Sequence, residues 1–158
     1  MPDWHLDAVV PRDLDKILTI DRTAFNRSWK RKSFLEEIDR LDAYGYVARK
    51  QLGDGRMDTI AYVFARILLR EMHIMRIAVA TGYQTRGVAT ALLQQCFKLA
   101  KQHKVSAVYI EVRPQNKSAI ALYRKSGFQM LGTRPNYYPE TGEDALVMVK
   151  RIEVQECL

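Results

Sequence analysis

The chain runs to 158 residues, 47% hydrophobic and 27% charged, which fits one domain with a sizeable core and excludes wholesale disorder. Its two cysteines, Cys96 and Cys157, exclude a disulfide scaffold and suit a reducing, cytoplasmic compartment, and the scattered His5, His73 and His103 lack zinc-ligand spacing. The formal charge is +7, from 25 Lys plus Arg against 18 Asp plus Glu, and it is unevenly placed. In chain order, Trp4–Val10 reads as a short strand ended by Pro11. Leu14, Ile17 and Leu18 have helical spacing, so Asp13–Thr23 reads as an amphipathic helix with Asp13 as its cap. A basic loop flanked by aromatics follows, Phe25-Asn26-Arg27-Ser28-Trp29. Ser33 with Glu36 three residues on predicts a capping box and a helix to about Arg40. Ala43–Gln51 and Thr59–Leu69 read as a hairpin around Gly53-Asp54-Gly55, and Met72–Val79 as another strand.

The next segment turns helical. Val88, Leu92, Cys96 and Leu99 make a stripe that Leu93, Phe97 and Ala100 widen, which predicts a helix over Arg86–His103. Ala107–Val112 is a strand of the buried type. Ser118–Lys125 is a helix with Gly127 at its C-cap. Met130–Tyr137 and Ala145–Ile152 are two further strands around Pro139–Asp144. Strands and helices mix along the chain, so the fold class is α/β or α+β, with one sheet flanked by helices. No apolar run approaches the ~20 residues of a membrane span. Met1–Val10 carries Asp3, His5 and Asp7 where a signal peptide is apolar.

From Gln84 to Arg134 there are nine bases and one acid, Glu111, a balance of +8, so the rest of the chain sums to −1. A second cluster holds Arg22, Arg27, Lys30, Arg31 and Lys32 with no acid among them. Any single Lys reads best as a solvated helix face. The joint pattern points to a polyanionic partner, either nucleic acid or a phosphate-rich cofactor.

Several residues admit both a plain and a chemical reading. Gly87 sits where a helix begins, and unpaired N–H groups at a helix start attract anions, but a plain helix start reads the same way. The loop is neither a Walker loop nor a dinucleotide fingerprint. Glu111 interrupts an apolar strand and either faces solvent or lines a cleft as a general base. Tyr123 is a core tyrosine or a proton donor to a thiolate. Asn116 is a helix cap or a ligand contact. Tyr137-Tyr138 is turn packing or an aromatic wall. His73 reads as a half-buried strand histidine, Cys96 as core and Cys157 as incidental.

Taken together, these residues resemble the GNAT superfamily of acetyl-CoA-dependent N-acetyltransferases. Gln84–Ala89 matches that family's Q/R-x-x-G-x-G/A pyrophosphate loop. Gly127-Phe128 after a helix with Asn116, Ala119 and Tyr123 matches its second cofactor motif. Ile77-Ala78-Val79, Glu111-Val112-Arg113, Arg134, Asn136-Tyr137-Tyr138-Pro139 and Glu143-Asp144-Ala145 resemble the RimI-type ribosomal-protein-alanine branch. The match is dense over about Met72–Met148 and looser before it, where Phe25, Trp29 and Phe34 are the anchors.

The resemblance implies a GNAT fold across the whole chain: a mostly antiparallel sheet of six to seven strands, splayed in the middle, with about four helices. Acceptor-side elements would fill residues 1–70, the acetyl-CoA-binding core 71–130 and a C-terminal hairpin 130–153. It implies that Gln84, Thr85, Arg86, Gly87, Val88 and Ala89 hold the pyrophosphate of acetyl-CoA. Ile77, Ala78, Val79, Asn116 and Tyr123 would serve the rest of the cofactor. Glu111 would be the base, Tyr123 the acid, and Phe25, Trp29, His73, Tyr137 and Tyr138 would line the acceptor, a protein N-terminus, with no metal. On this reading the basic surplus of 84–134 answers a phosphorylated cofactor.

The loop before the second helix departs from the family's compact Phe-Pro-Trp. It is longer, lacks the proline and runs into Lys30-Arg31-Lys32. It repels a basic acceptor segment unless Glu71, Glu140, Glu143 or Asp144 compensates. A different protein N-terminus or a small amine stays open as acceptor, and a basic RNA- or ribosome-binding domain as the non-enzymatic reading.

Overall fold

A computed structural model describes residues 2–154, so Cys157 lies outside the described residues. Seven strands form a mixed, mostly antiparallel sheet in the order β1-β2-β3-β4-β5-β7-β6, and four α-helices accompany it among the described residues. This is the expected fold class. The chain groups into two compact units: residues up to Arg66 with Met75–Gln95, and Ile67–Ile74 with Cys96 onward.

In the first unit, β1 (Trp4–Ala8) runs antiparallel to β2 (Ala43–Gln51), and β2 to β3 (Met57–Leu68), with a bulge at Ala48/Arg49. Helix α1 (Leu14–Ala24) buries Leu14, Ile17, Leu18 and Ile20, the stripe its spacing predicts. These pack with Phe34 of α2 (Arg31–Asp39), Val47, Tyr62, Phe64 and Ala78 in one apolar cluster.

Two predicted caps are corrected. Asp13 occupies the N-cap position of α1 but makes no side-chain cap bond. Its carboxylate accepts the Val10 N–H, the Thr59 hydroxyl and the Arg49 guanidinium instead. Helix α2 starts at Arg31 with Lys30 at its N-cap, so Ser33 lies inside the first turn and caps nothing. A hydrophobic staple sets this start: Trp29, just before the cap, packs on Phe34 in the next turn with ring centroids 5.1 Å apart.

Strand β4 (Glu71–Val79) has its first residues in the second unit, where they pair in parallel with β5 (Ala107–Val112), from Glu71↔Ala107 to Ile74↔Ile110. β5 pairs antiparallel with β7 (Glu143–Arg151), which pairs with β6 (Gln129–Tyr138). Helix α3 spans Val88–Gln102, two residues shorter at its start than predicted, because Gly87 has φ +81 and stays in the loop. Strand β3 ends at Leu68 because Leu69 turns left-handed, φ +56. Helix α4 (Lys117–Lys125) ends in a Schellman motif. Its C-cap is Ser126, and Gly127 follows at φ +100. The Phe128 N–H reaches the Tyr123 carbonyl, the Gly127 N–H reaches Arg124, and the Phe128 ring packs edge-on to Tyr123.

Candidate active site

In the first unit, β4 ends at Val79 and the chain turns through 80–87 into α3. Three left-handed residues shape this turn: Gly82 (φ +95), Thr85 (φ +63) and Gly87 (φ +81). The Tyr83 N–H donates to Ala80 and the Ala91 N–H to Gly87. Among the described residues, no main-chain acceptor serves the N–H groups of 84–90 between them. Gln84, Thr85, Arg86 and Gly87 are exposed, and a Cβ on Gly87 would meet nothing within 4 Å. The loop thus presents free N–H groups at the positive end of a fifteen-residue helix, which suits an anion. The Gln84 amide folds back to the Val79 carbonyl at 3.3 Å. Ala78 is buried and Ile77 half-buried.

The same unit holds Phe25 and Trp29. The Arg76 guanidinium lies 3.8 Å from the Phe25 ring centre and 5.2 Å from that of Trp29. Arg76 also forks onto Asp21, at 2.6 and 3.0 Å. Asp21 further accepts the Tyr62 hydroxyl and the Trp29 N–H. Burial and the Asp21 charge push the Tyr62 phenol far above its ordinary pKa. Sequence reasoning missed Asp21 and Arg76. A signal existed, since Asp21 falls on the Leu14–Ile17–Leu18 stripe, where an acid is out of place.

In the second unit, a cavity of about 400 Å³ is lined by Glu71, His73, Tyr109, Glu111 and Arg134, with Leu131, Gly132, Thr133 and Val147. Strand alternation puts Tyr109 and Glu111 on one face, and the β4–β5 register sets His73 opposite Tyr109. Their rings stack at 5.2 Å and 21°. The His73 Nε2 lies 3.3 Å from the Glu71 carboxylate. Glu111 faces this cavity rather than open solvent, with its side chain 14% exposed and a carboxylate oxygen 3.6 Å from Arg134. The structure therefore brings Glu111 and His73 together on one cavity wall.

Tyr123 is buried, and its hydroxyl makes no hydrogen bond among the described residues. Burial, with a contribution from Tyr138, raises its pKa well above the ordinary phenol, so it holds its proton. Asn116 caps α4, its side-chain oxygen accepting the Ala119 N–H at 3.2 Å, and its amide nitrogen is unengaged among the described residues. Tyr137 and Tyr138 meet edge to face at 5.0 Å. Arg113 lies 3.8 Å from the Tyr138 ring centre and binds Glu140 and Glu143, which ties the hairpin turn to β5. Burial lifts the Tyr138 phenol to about 12, against the opposing pull of Arg113. Of the four carboxylates that could offset a basic acceptor loop, Glu140 and Glu143 are thus engaged by Arg113. Asp144 takes the Asn136 N–H, and Glu71 lines the cavity. Cys96 is buried, and burial pushes its thiol up to about 12, so it is core and no nucleophile.

Comparison with known proteins identifies the family. The Acetyltransferase (GNAT) family matches residues 14–128. An N-alpha-acetyltransferase of Sulfurisphaera tokodaii is 34% identical over 149 residues, 86% of each chain. The [ribosomal protein bS18]-alanine N-acetyltransferase of Escherichia coli K12 is 31% identical over 144 residues, 90% of this chain and 93% of the relative. The crystal structure of the ribosomal-protein-S18-alanine N-acetyltransferase from Escherichia coli superposes with a TM-score of 0.84 at 28% identity. It covers 97% of this chain and 96% of that one. The fold also matches Arabidopsis thaliana NAA60, solved in complex with acetyl-CoA, at a TM-score of 0.85 and 22% identity, over 94% of this chain and 98% of that one. The resemblance read from the motifs is borne out, and an enzyme is favoured over a basic RNA-binding domain. From the family match over 14–128 and relatives above 30% identity along most of their length, the chain is an N-acetyltransferase and belongs to the GNAT family.

Proposed function

We propose that this protein acetylates the N-terminal α-amine of another protein, as the ribosomal-protein-alanine enzymes do, by direct attack on acetyl-CoA in a ternary complex. The cavity that joins Glu111 to His73 carries the reading. Bound acetyl-CoA supplies an activated thioester carbonyl. The loop Gln84–Ala89 fits its pyrophosphate through free N–H groups and the α3 dipole. Ile77, Ala78 and Val79 serve its arm, and the unengaged Asn116 amide nitrogen can donate to a carbonyl.

Glu111 takes a proton from the attacking amine while the C–N bond forms. Tyr123, kept protonated by burial, gives its proton to sulfur as the C–S bond breaks. One proton leaves nitrogen and one reaches sulfur, so the exchange balances. An α-amine, with an ordinary pKa of ~8, loses its proton more readily than a lysine at ~10.4. Phe25, Trp29, His73, Tyr137 and Tyr138 are the acceptor-side residues of this reading.

The test is a substrate panel of alanine-, serine- and methionine-starting peptides against polyamines, with thiol release and product mass read together. Acetyl on a peptide N-terminus is the expected product. Turnover of small amines alone would overturn the reading.

A further inference from the structure

We infer that Asp21 and Arg76 are positioning residues that fix the loop 25–30 and so set recognition of the acceptor. The inference rests on the proposed role of Phe25 and Trp29 at the acceptor. Beside the packing of Trp29 on Phe34, several contacts of this loop run to these two side chains. The Trp29 N–H donates to the Asp21 carboxylate at 2.9 Å. The Arg27 carbonyl accepts from Arg76 at 2.9 Å. The same guanidinium lies over the Phe25 ring and beside Trp29.

The pair is itself held on its other side. Asp21 is fully buried and also takes the Tyr62 hydroxyl, while Tyr62 packs edge-on to Phe34 at 5.8 Å. Phe34 in turn carries the Trp29 ring. A closed circuit therefore runs from Asp21 through Tyr62, Phe34 and Trp29 back to Asp21. Only an arginine completes it, because its planar fork binds the carboxylate at two points while its face stacks on an aromatic ring. A buried ion pair contributes little net stability compared with apolar residues of similar size. What this pair contributes is the location of the loop: it fixes one carbonyl, one N–H and two rings at once.

The experiment compares wild type, R76M, R76K and D21N in steady state, with acetyl-CoA and an eight-residue peptide starting with alanine. The acceptor KM is expected to rise about tenfold or more in each variant, while the acetyl-CoA KM stays within about twofold. R76K should not restore the acceptor KM, since lysine keeps the charge but not the fork. In a Trp4→Phe background, acrylamide quenching of Trp29 should increase in R76M. A folded R76M or R76K with an unchanged acceptor KM overturns the inference, whatever the quenching shows. F25A and W29A separate the two levels of the reading. If they leave the acceptor KM unchanged, the assignment of this loop to the acceptor fails and the inference falls with it. If they raise the KM while the Arg76 and Asp21 variants do not, only the inference fails.

Discussion

Replacing Glu111 by glutamine isolates proton removal from everything else this side chain does. Glutamine has nearly the same shape, so the cavity lining and the pairing of β5 with β7 at Val147 persist. The charge it deletes is paired with Arg134 at 3.6 Å, and that arginine is 56% exposed. A pair so open to water contributes about 0–1 kcal/mol, so E111Q should melt within a few degrees of wild type. Loss of a general base costs about 10²–10⁴ in rate, or roughly 3–5 kcal/mol of barrier. The two magnitudes do not overlap, so the assay decides between them. It measures CoA thiol release at saturating acetyl-CoA and an alanine-starting peptide, beside a thermal melt. A folded E111Q with kcat within about threefold of wild type would show that the proton goes elsewhere. His73, on the same wall, is then the next group to replace.

Tyr123→Phe should lower kcat by about 10²-fold or more. Because burial raises the phenol, its O–H form persists at every pH below that raised value, so the loss should be equal at pH 6 and pH 9. A loss confined to one end of the range would refute a buried proton donor. Gly87→Ala should raise the acetyl-CoA KM several-fold and spare the peptide KM. The reason is that a left-handed L-residue costs about 1–2 kcal/mol, and its Cβ stands on the open side of the anion loop. Equal KM values in the two proteins would remove this loop from cofactor binding. Arg49→Met leaves the buried Asp13 carboxylate without its cation, a loss of about 3–5 kcal/mol and roughly 6–20 °C in Tm. A melt unchanged within about 2 °C would show that this pair is dispensable.

The elements most legible in the sequence are those with a local period and punctuated ends. Strand β2 matches its predicted bounds, Ala43–Gln51, because turn residues follow it, and β5 does so because its apolar run is short and bounded. The stripe of α1 reads correctly for the same reason. The start of α2 does not. A capping box is written in hydroxyl and carboxylate residues, whereas the staple that wins depends on Trp29 meeting Phe34 beside Tyr62 and Phe64. The arginine networks are the least legible. Arg76 and Asp21 lie 55 positions apart, and Arg49 and Asp13 lie 36 apart, so no window on the sequence contains both partners. Glu111 falls between these cases. Its oddity in an apolar strand is visible locally, but only the register of β5 with β4 and β7 sets it in a cavity with His73.

The basic surplus of Gln84–Arg134 has several sources rather than one. Arg113 and Arg134 are engaged by carboxylates, so they organise the second unit rather than await an anion. The other seven bases are exposed and, among the described residues, without an ion pair. Five of them stand on the solvent faces of α3 and α4: Lys98, Lys101, Lys117, Arg124 and Lys125. There the opposite face buries Leu92, Leu93, Cys96 and Tyr123, which is what an amphipathic helix requires with or without a ligand. Lys104 follows α3 in a turn. Arg86 alone sits within the Gln84–Ala89 loop, where it lies 5.6 Å from the Tyr83 ring. The cofactor reading therefore depends on one base and a row of N–H groups, not on the total of +8. The total still acts at longer range, raising the local concentration of any polyanion, an effect that falls away beyond about 8 Å at physiological salt.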